Sequence, residues 1–180
     1  ASENGNIEVV KLLLDRGAWN LEARYKEDGR TALSRASRYG LTEIVKLLLA
    51  KGANLEARDN EGRTALMLAS IYGHTEIVKL LLAEGADIEA EDDDRGRTAL
   101  MTASIYGHTE IVKLLLAKGA DKNIKDRDGK TAYDLVVRGG GYEKIKKLLT
   151  QTAIELIAKE IQGKKQPYKW QSLCKPGVVK

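Results

Sequence analysis

Residues 62–83 read GRTALMLASIYGHTEIVKLLLA, and residues 96–117 repeat these 22 residues with a single change. A third copy, residues 29–50, departs from the first at only four positions: Ser34, Arg35, Arg38 and Leu41. A weaker fourth copy begins at Gly129. The Thr-Ala pairs of the four copies are spaced 33, 34 and 33 residues apart: Thr31, Thr64, Thr98 and Thr131. Self-similarity with a period near 33 predicts a stack of repeated units rather than one globular core.

Each copy carries signals for two helices. Thr64 precedes an apolar stretch and can cap a first helix, which Gly73 can end in the left-handed conformation. We expect Thr75 to cap a second helix, and Gly85 to stop it. The second helix is apolar on so much of its surface that it must be buried on more than one side. The predicted helices are 32–39, 42–50, 65–72, 75–83, 99–106, 109–117 and 131–138.

These phrases resemble the ankyrin-repeat family, above all Gly-His-Thr-Glu-Ile-Val-Lys-Leu-Leu-Leu from Gly73 and Lys-Gly-Ala-Asp from Lys118. The resemblance implies an all-α solenoid of stacked helix–turn–helix pairs with β-hairpin fingers. It extends over residues 1–150, followed by a C-terminal helix extension and basic tail at 151–180. The expected divisions are a partial first repeat 1–25, repeats at about 26–58, 59–91 and 92–125, and a capping repeat 126–150.

Both ends depart from a regular repeat. Ala1 aligns with Ala36, so most of a first inner helix is missing, and we expect upstream repeats or a neighbouring chain to cover that face. After three glycines at 139–141, apolar residues at helical spacing predict one long helix from Tyr142 to about Gln162. Its first half should pack, as a cap, on the copies that begin at Gly96 and Gly129.

The sequence gives no sign of catalysis. His74 and His108 occupy equivalent places in two copies and lack partners at metal-ligand or general-base spacing, so we interpret them as structural. The lone Cys174 has no neighbouring His, and Asp92–Asp94 lack the glycine and closing glutamate of a calcium loop, which favours a solvated finger tip. We therefore expect no enzymatic activity, no metal and no cofactor. With no membrane span or signal peptide in the sequence, the expected location is the cytoplasm.

A protein-binding surface is what the resemblance implies instead: ankyrin partners usually lie on the concave face of finger tips and inner helices. Two columns of this sequence match that face. The basic column follows the finger glycines: Arg30, Arg63, Arg97 and Lys130. The second column lies directly before the glycines that end the inner helices. It consists of each tyrosine and the residue before it: Arg38 and Tyr39, Ile71 and Tyr72, Ile105 and Tyr106. Alternatively, the arginines pair with nearby Asp28, Glu61 and Asp128 and bind nothing.

The longest finger adds two bulky aromatic residues, Trp19 and Tyr25, as candidate partner contacts. The alternative is that Trp19 only covers the neighbouring finger. Near-identity of the central copies fits recent duplication or consensus design, so a natural and an engineered scaffold are both open.

A second function stays open because the charge is uneven. The chain carries a net charge of +4, but residues 143–180 hold nine lysines against three glutamates, a net of +6. With Tyr168 and Trp170, this tail could bind a polyanion such as nucleic acid or an acidic membrane surface. Such binding would weaken steeply with added salt, whereas a protein held on the tyrosine face would not.

Overall fold

The computed structural model describes residues 20–136 and 142–151 together with Leu12. Helices in this part of the chain alternate between short inner and slightly longer outer members. In chain order they are α1 (Ala32–Tyr39), α2 (Thr42–Ala50), α3 (Ala65–Tyr72), α4 (Thr75–Ala83), α5 (Ala99–Ile105), α6 (Thr109–Ala117), α7 (Ala132–Leu135) and α8 (Tyr142–Thr150). The predicted bounds of α1–α4 and α6 are confirmed, and α5 ends one residue earlier than predicted.

The inner helices begin and end as their sequence predicts. The hydroxyls of Thr31, Thr64 and Thr98 each accept a hydrogen bond from the backbone N–H three residues later, at 3.3–3.4 Å. This satisfies one of the N–H groups that a helix start leaves without an internal partner. Gly40 and Gly73 end α1 and α3 with φ of +74° and +79°, a conformation that glycine adopts without strain.

The outer helices start differently from the prediction. His74 is the N-cap of α4 and Thr75 is already its first residue, with no side-chain capping bond. The reason lies in the tight turn. His74 N–H donates to Ala69 O at 2.9 Å, and Thr75 N–H donates to Gly73 O at 3.0 Å, so the turn's own backbone satisfies these donors. Val78 N–H, the donor that a Thr75 cap would satisfy, bonds to His74 O at 3.0 Å within the helix, so no capping hydroxyl is needed.

The helices form two layers around one continuous apolar core. Inner helices α1, α3, α5 and α7 stack in that order, and the outer helices pack behind them. Leu33, Leu66 and Leu100, in register on successive inner helices, are almost completely buried. On α4, Ile77 and Leu81 are buried while Leu80 and Leu82 pack partly exposed against the same core. This confirms that the outer helix is covered on more than one side.

The fingers are hydrogen-bonded turns, with no strand assigned in the described residues. Within the second finger, Asp59 N–H donates to Arg63 O at 3.0 Å. The tips are also joined from repeat to repeat through the backbone at distances of 2.8–3.1 Å: Asn60 N–H to Asp28 O, Asp93 N–H to Glu61 O and Arg127 N–H to Arg95 O. The fingers therefore form one linked edge along the solenoid.

The C-terminal end differs from the predicted helix 131–138. Helix α7 ends after one turn at Leu135 because Val136 takes an extended conformation, with ψ of 108°. Helix α8 begins at Tyr142 as predicted and packs on α6 and α7, burying Ile145 and Leu149. This is the packing expected of the first half of the predicted helix. The predicted continuation to Gln162 and the basic tail at 151–180, beyond Gln151, lie outside the described residues.

Candidate partner-binding surface

Three tyrosines lie in register at the C-terminal ends of successive inner helices. Tyr39, Tyr72 and Tyr106 are 57, 44 and 55% exposed. Each stands directly before a glycine of positive φ, so the sharp turn that follows leaves the ring outside the core. A large aromatic side chain half in water at three equivalent positions is a feature of binding surfaces rather than of a solvated face.

Arg38 lies between two of these rings. Its guanidinium carbon is 5.6 Å from the centre of the Tyr39 ring and 5.2 Å from that of the Tyr72 ring. Both distances allow attraction between the cation and the ring face. The equivalent positions in the next two repeats hold Ile71 and Ile105, which are half-buried. The predicted tyrosine column is therefore interleaved with one arginine and two isoleucines.

The first finger adds a further aromatic residue. Tyr25 is exposed, and the guanidinium of Arg35 lies 4.1 Å from its ring centre. Hydrogen bonding to the Tyr39 phenol raises the pKa of Arg35, and Tyr25 and the charge of Asp28 add to this effect. Sequence reasoning did not select Arg35. The one sequence feature that could have identified Arg35 is that the equivalent residues in the next two copies are Leu68 and Thr102. Trp19, the other candidate in this finger, lies outside the described residues.

The basic column is largely a structural device. Arg30 is only 6% exposed, and its Nε donates to Asp59 Oδ2 at 3.1 Å while its Nη1 donates to Asp28 Oδ2 at 3.0 Å. Partial burial would raise the pKa of Asp28, but the backbone hydrogen bond and charge of Arg30 outweigh it and the pKa is lowered. A charged group is buried only where its own protein pairs it, as Asp59 and Asp28 pair Arg30. Arg30 is therefore a poor partner contact, contrary to the sequence expectation, because almost none of its surface is exposed.

Arg63 and Arg97 are also engaged within the protein. Arg63 donates to Asp59 Oδ2 through Nε and Nη2 at 3.1 and 3.0 Å, and it pairs with Glu61. Burial would lower the pKa of Arg63, but the hydrogen bond and charge of Asp59 raise it. Arg97 Nε lies 3.6 Å from Asp126 Oδ2. The expected pairings with Asp28 and Glu61 are thus present, whereas Asp126, not Asp128, faces Arg97.

Asp59 and Asp126 are residues that the sequence argument missed. Each stands three positions before the finger glycine, a recurrence that could have found them. Asp92 is the counterpart in the third finger, which is one residue longer. It is buried and its Oδ1 accepts from the N–H of Arg95 and of Arg97 at 2.8 and 3.2 Å. The expectation of a solvated tip at Asp92–Asp94 is therefore wrong for Asp92 itself.

The two histidines lock neighbouring repeats together. His74 Nε2 lies 3.0 Å from the carbonyl oxygen of Arg38, and His108 Nε2 lies 2.9 Å from that of Ile71. Tyr142 holds the equivalent place in the cap, where its hydroxyl donates to Ile105 O at 3.4 Å. These contacts satisfy carbonyls at the ends of inner helices, directly beside the tyrosine column. No cluster of three or more His, Cys, Asp and Glu fit for a metal occurs among the described residues.

In the part of the chain with assigned structure, no helix is long and apolar enough to span a membrane. A search of curated proteins finds no match. A family model described as ankyrin repeats (3 copies) matches residues 1–92, and one described as ankyrin repeats (many copies) matches residues 89–136. Taken with the stacked helix pairs and linked fingers, these matches show that the chain belongs to the ankyrin-repeat family.

Proposed function

We propose that this chain is a protein-interaction scaffold, without chemistry of its own, whose partner lies against the tyrosine column. We define the tyrosine column as Tyr39, Tyr72 and Tyr106 with the residues that precede them. The observation that carries the proposal is the exposure of three tyrosines in register on successive inner helices. Tyrosine offers a large apolar face and a polar end, and it is enriched among the residues that dominate interface energies.

The repeat architecture supports this proposal. Fully buried leucines and the paired finger arginines hold the inner helices and tips in fixed positions. The column is thus presented on a rigid support, which lowers the conformational entropy that the scaffold itself loses on binding. Since Arg30 is buried and Arg63 is engaged, we assign the finger arginines to the support and the binding to the helix ends.

The test first identifies a partner by affinity capture from the source cells and mass spectrometry, and then measures its Kd. Replacing Tyr72 and Tyr106 with Ala should weaken binding by about 2–4 kcal/mol if they are hot spots. Lys79 and Lys113, exposed at equivalent places on the outer helices, supply the matched control pair. Binding that survives the tyrosine change but is lost in Lys79→Ala with Lys113→Ala would place the partner on the opposite face.

A cytoplasmic setting is part of the same proposal. The chain has one cysteine, Cys174, which cannot form an intramolecular disulfide, and packing, hydrogen bonds and ion pairs hold the described part of the fold. A fold that needs no disulfide is compatible with the reducing cytoplasm.

A further inference from the structure

The charge of the inner-helix surface changes along the solenoid, because α1 carries two arginines at positions where α3 and α5 have uncharged residues. Arg35 stands where the next two copies have Leu68 and Thr102, both buried. Arg38 stands where they have Ile71 and Ile105. Two cations are therefore concentrated at the α1 end of the surface, and apolar side chains lie at the α3 and α5 end.

Both cations are held in place by aromatic rings. Arg38 lies between the Tyr39 and Tyr72 rings, and Arg35 lies over the Tyr25 ring at 4.1 Å. A guanidinium stacked on a ring loses less side-chain freedom when it forms a hydrogen bond than one moving in water. Stacking uses only the face of a guanidinium, so the N–H groups of Arg38 stay available, while Arg35 shares its N–H groups with the Tyr39 phenol.

Neither cation forms an ion pair with a carboxylate among the described residues. Arg30, Arg58, Arg63, Arg95 and Arg97 each form an ion pair with Asp or Glu, whereas the finger residues Arg24 and Arg127 form none within the part of the chain that the structure describes. Arg35 and Arg38 contact tyrosines instead, and the charge of Asp28 acts on Arg35 without an ion pair. On the inner-helix surface, these two guanidiniums can therefore meet an external anion.

We infer that the partner is a protein segment with an acidic and an apolar end, which binds with carboxylates at Arg35 and Arg38 and apolar side chains against Ile71 and Ile105. This inference rests on the proposed function and specifies the chemistry and polarity of its partner. The guanidinium fork matches a carboxylate, and the tyrosine rings beside it exclude water from the pair. The isoleucines offer no group for a charge, so the two ends of the segment are not interchangeable.

The repeat spacing sets the pattern of that segment. Neighbouring packed helices lie about 8–10 Å apart, and an extended chain advances about 3.3 Å per residue. An acidic residue at Arg38 is therefore separated by about three positions from an apolar residue opposite Ile71, and by about six from another opposite Ile105.

A nucleic acid fits this end less well. Base stacking needs free aromatic faces, but the guanidiniums of Arg35 and Arg38 cover faces of Tyr25, Tyr39 and Tyr72. The finger tips of the same surface also carry exposed carboxylates, at Glu61, Asp93 and Asp94, that oppose a continuous phosphate backbone.

The experiment selects a displayed random dodecapeptide library on the full chain and on two variants. The first variant combines Arg35→Gln with Arg38→Gln. The control combines Arg24→Gln with Arg95→Gln, two exposed arginines off the tyrosine column, and so makes the same change in net charge. Circular dichroism melting checks that all three proteins are folded.

The expected result is enrichment, on the full chain and the control, of peptides with Asp or Glu about three residues from an apolar residue. A peptide synthesised from this pattern should lose about tenfold or more in affinity on the Arg35 and Arg38 variant. Equal enrichment on the variant, or no acidic preference on the full chain, would overturn the inference.

The outcomes also separate this inference from the proposed function. Peptides that are lost on Tyr72→Ala with Tyr106→Ala but unaffected by the arginine change leave the scaffold standing and remove the acidic partner. A library without binders on any of the proteins counts against both. A single-stranded oligonucleotide that binds the full chain and loses affinity on the arginine variant would assign these cations to nucleic acid instead.

Discussion

The Asp59 side chain connects two fingers at a single carboxylate. It is fully buried and accepts five hydrogen bonds, from Arg30 Nε, from Arg63 Nε and Nη2, and from the backbone N–H groups of Glu61 and Arg63. A buried carboxylate is costly unless it is paired and hydrogen-bonded, and here all its partners point at it. The contribution of Asp59 to the free energy of unfolding can be measured by replacing it.

Replacing Asp59 with Ala should lower the free energy of unfolding by about 3 kcal/mol, because it leaves Arg30 buried with one carboxylate fewer. Asp128 in the last finger is exposed and provides the matched control, and Asp128→Ala should change stability by no more than about 0.5 kcal/mol. Urea unfolding followed by circular dichroism measures both. Equal stability of the two variants would mean that the Arg30–Asp59 pair contributes nothing net to the fold.

At the scale of single residues, exposure could be predicted where it follows from local pattern. The tyrosines before Gly40, Gly73 and Gly107 were placed correctly at exposed helix ends because the turn that exposes them is encoded within a few residues. The burial of Arg30 could not be predicted in this way. Its partner Asp59 is 29 residues away, and the pairing appears only when the fingers are stacked in register.

At the scale of elements, a hydrogen-bonded ladder joins the repeats at the finger bases. The side chains of Glu22, Glu56 and Glu89 accept from the backbone N–H one repeat later, at Asn54, Asp87 and Asp121, at 2.7–2.9 Å. The residue two positions before each of these glutamates accepts from its N–H in turn. The last rung carries Asn123, whose side chain turns back to Asp121 at 2.9 Å. The ladder thus ends where the described stack of fingers ends.

The tight turns between inner and outer helices give a test that separates backbone strain from steric overlap. A Cβ on Gly73 would lie 2.6 Å from His108 Cε1, whereas one on Gly85 has nothing within 4 Å. Both glycines have positive φ, +79° and +89°. Gly85→Ala should therefore cost about 1–2 kcal/mol from conformation alone, and Gly73→Ala should cost at least about 1 kcal/mol more.

Thermal or urea unfolding in a double-mutant cycle checks the cause. In a His108→Ala background the steric part disappears, so Gly73→Ala should cost about as much as Gly85→Ala. A cost of Gly73→Ala that is unchanged by the loss of the imidazole would show that His108 moves aside freely and does not lock the repeats.

The helices show the same division between what sequence could and could not predict. Threonine caps and turn glycines set the bounds of α1 and α3 because both signals act within one turn. The length of α7 was overestimated, since the apolar residues after Leu135 continue the helical spacing. Thr131 and Asp134 do form a complete capping box at its start. The length of α7 depends on how Val136 packs into the core, and this packing cannot be predicted from the neighbouring residues in the sequence.

At the scale of the whole molecule, the main helix contacts in the described residues join neighbouring repeats. Each inner helix packs on the next inner helix and on its own outer helix, and the cap α8 packs on α6 and α7 and hydrogen-bonds to the end of α5. Stability in such an array is approximately a sum of repeat and interface terms, so damage at one end need not reach the other. The arginine-bearing α1 end and the cap are thus predicted to be energetically independent.

Ile145 in the cap and Ile77 in the centre occupy equivalent places, and both are almost completely buried, at 0 and 1% exposed. Replacing either with Ala removes a similar apolar volume and should cost about 2–5 kcal/mol locally. Ile145→Ala should increase amide hydrogen exchange in α6, α7 and α8 while α1 and α2 keep their protection. Ile77→Ala should loosen α1 to α6, because α4 has repeats on both sides. Uniform loss of protection in both variants would instead show that the solenoid unfolds as one unit and that its two ends are coupled.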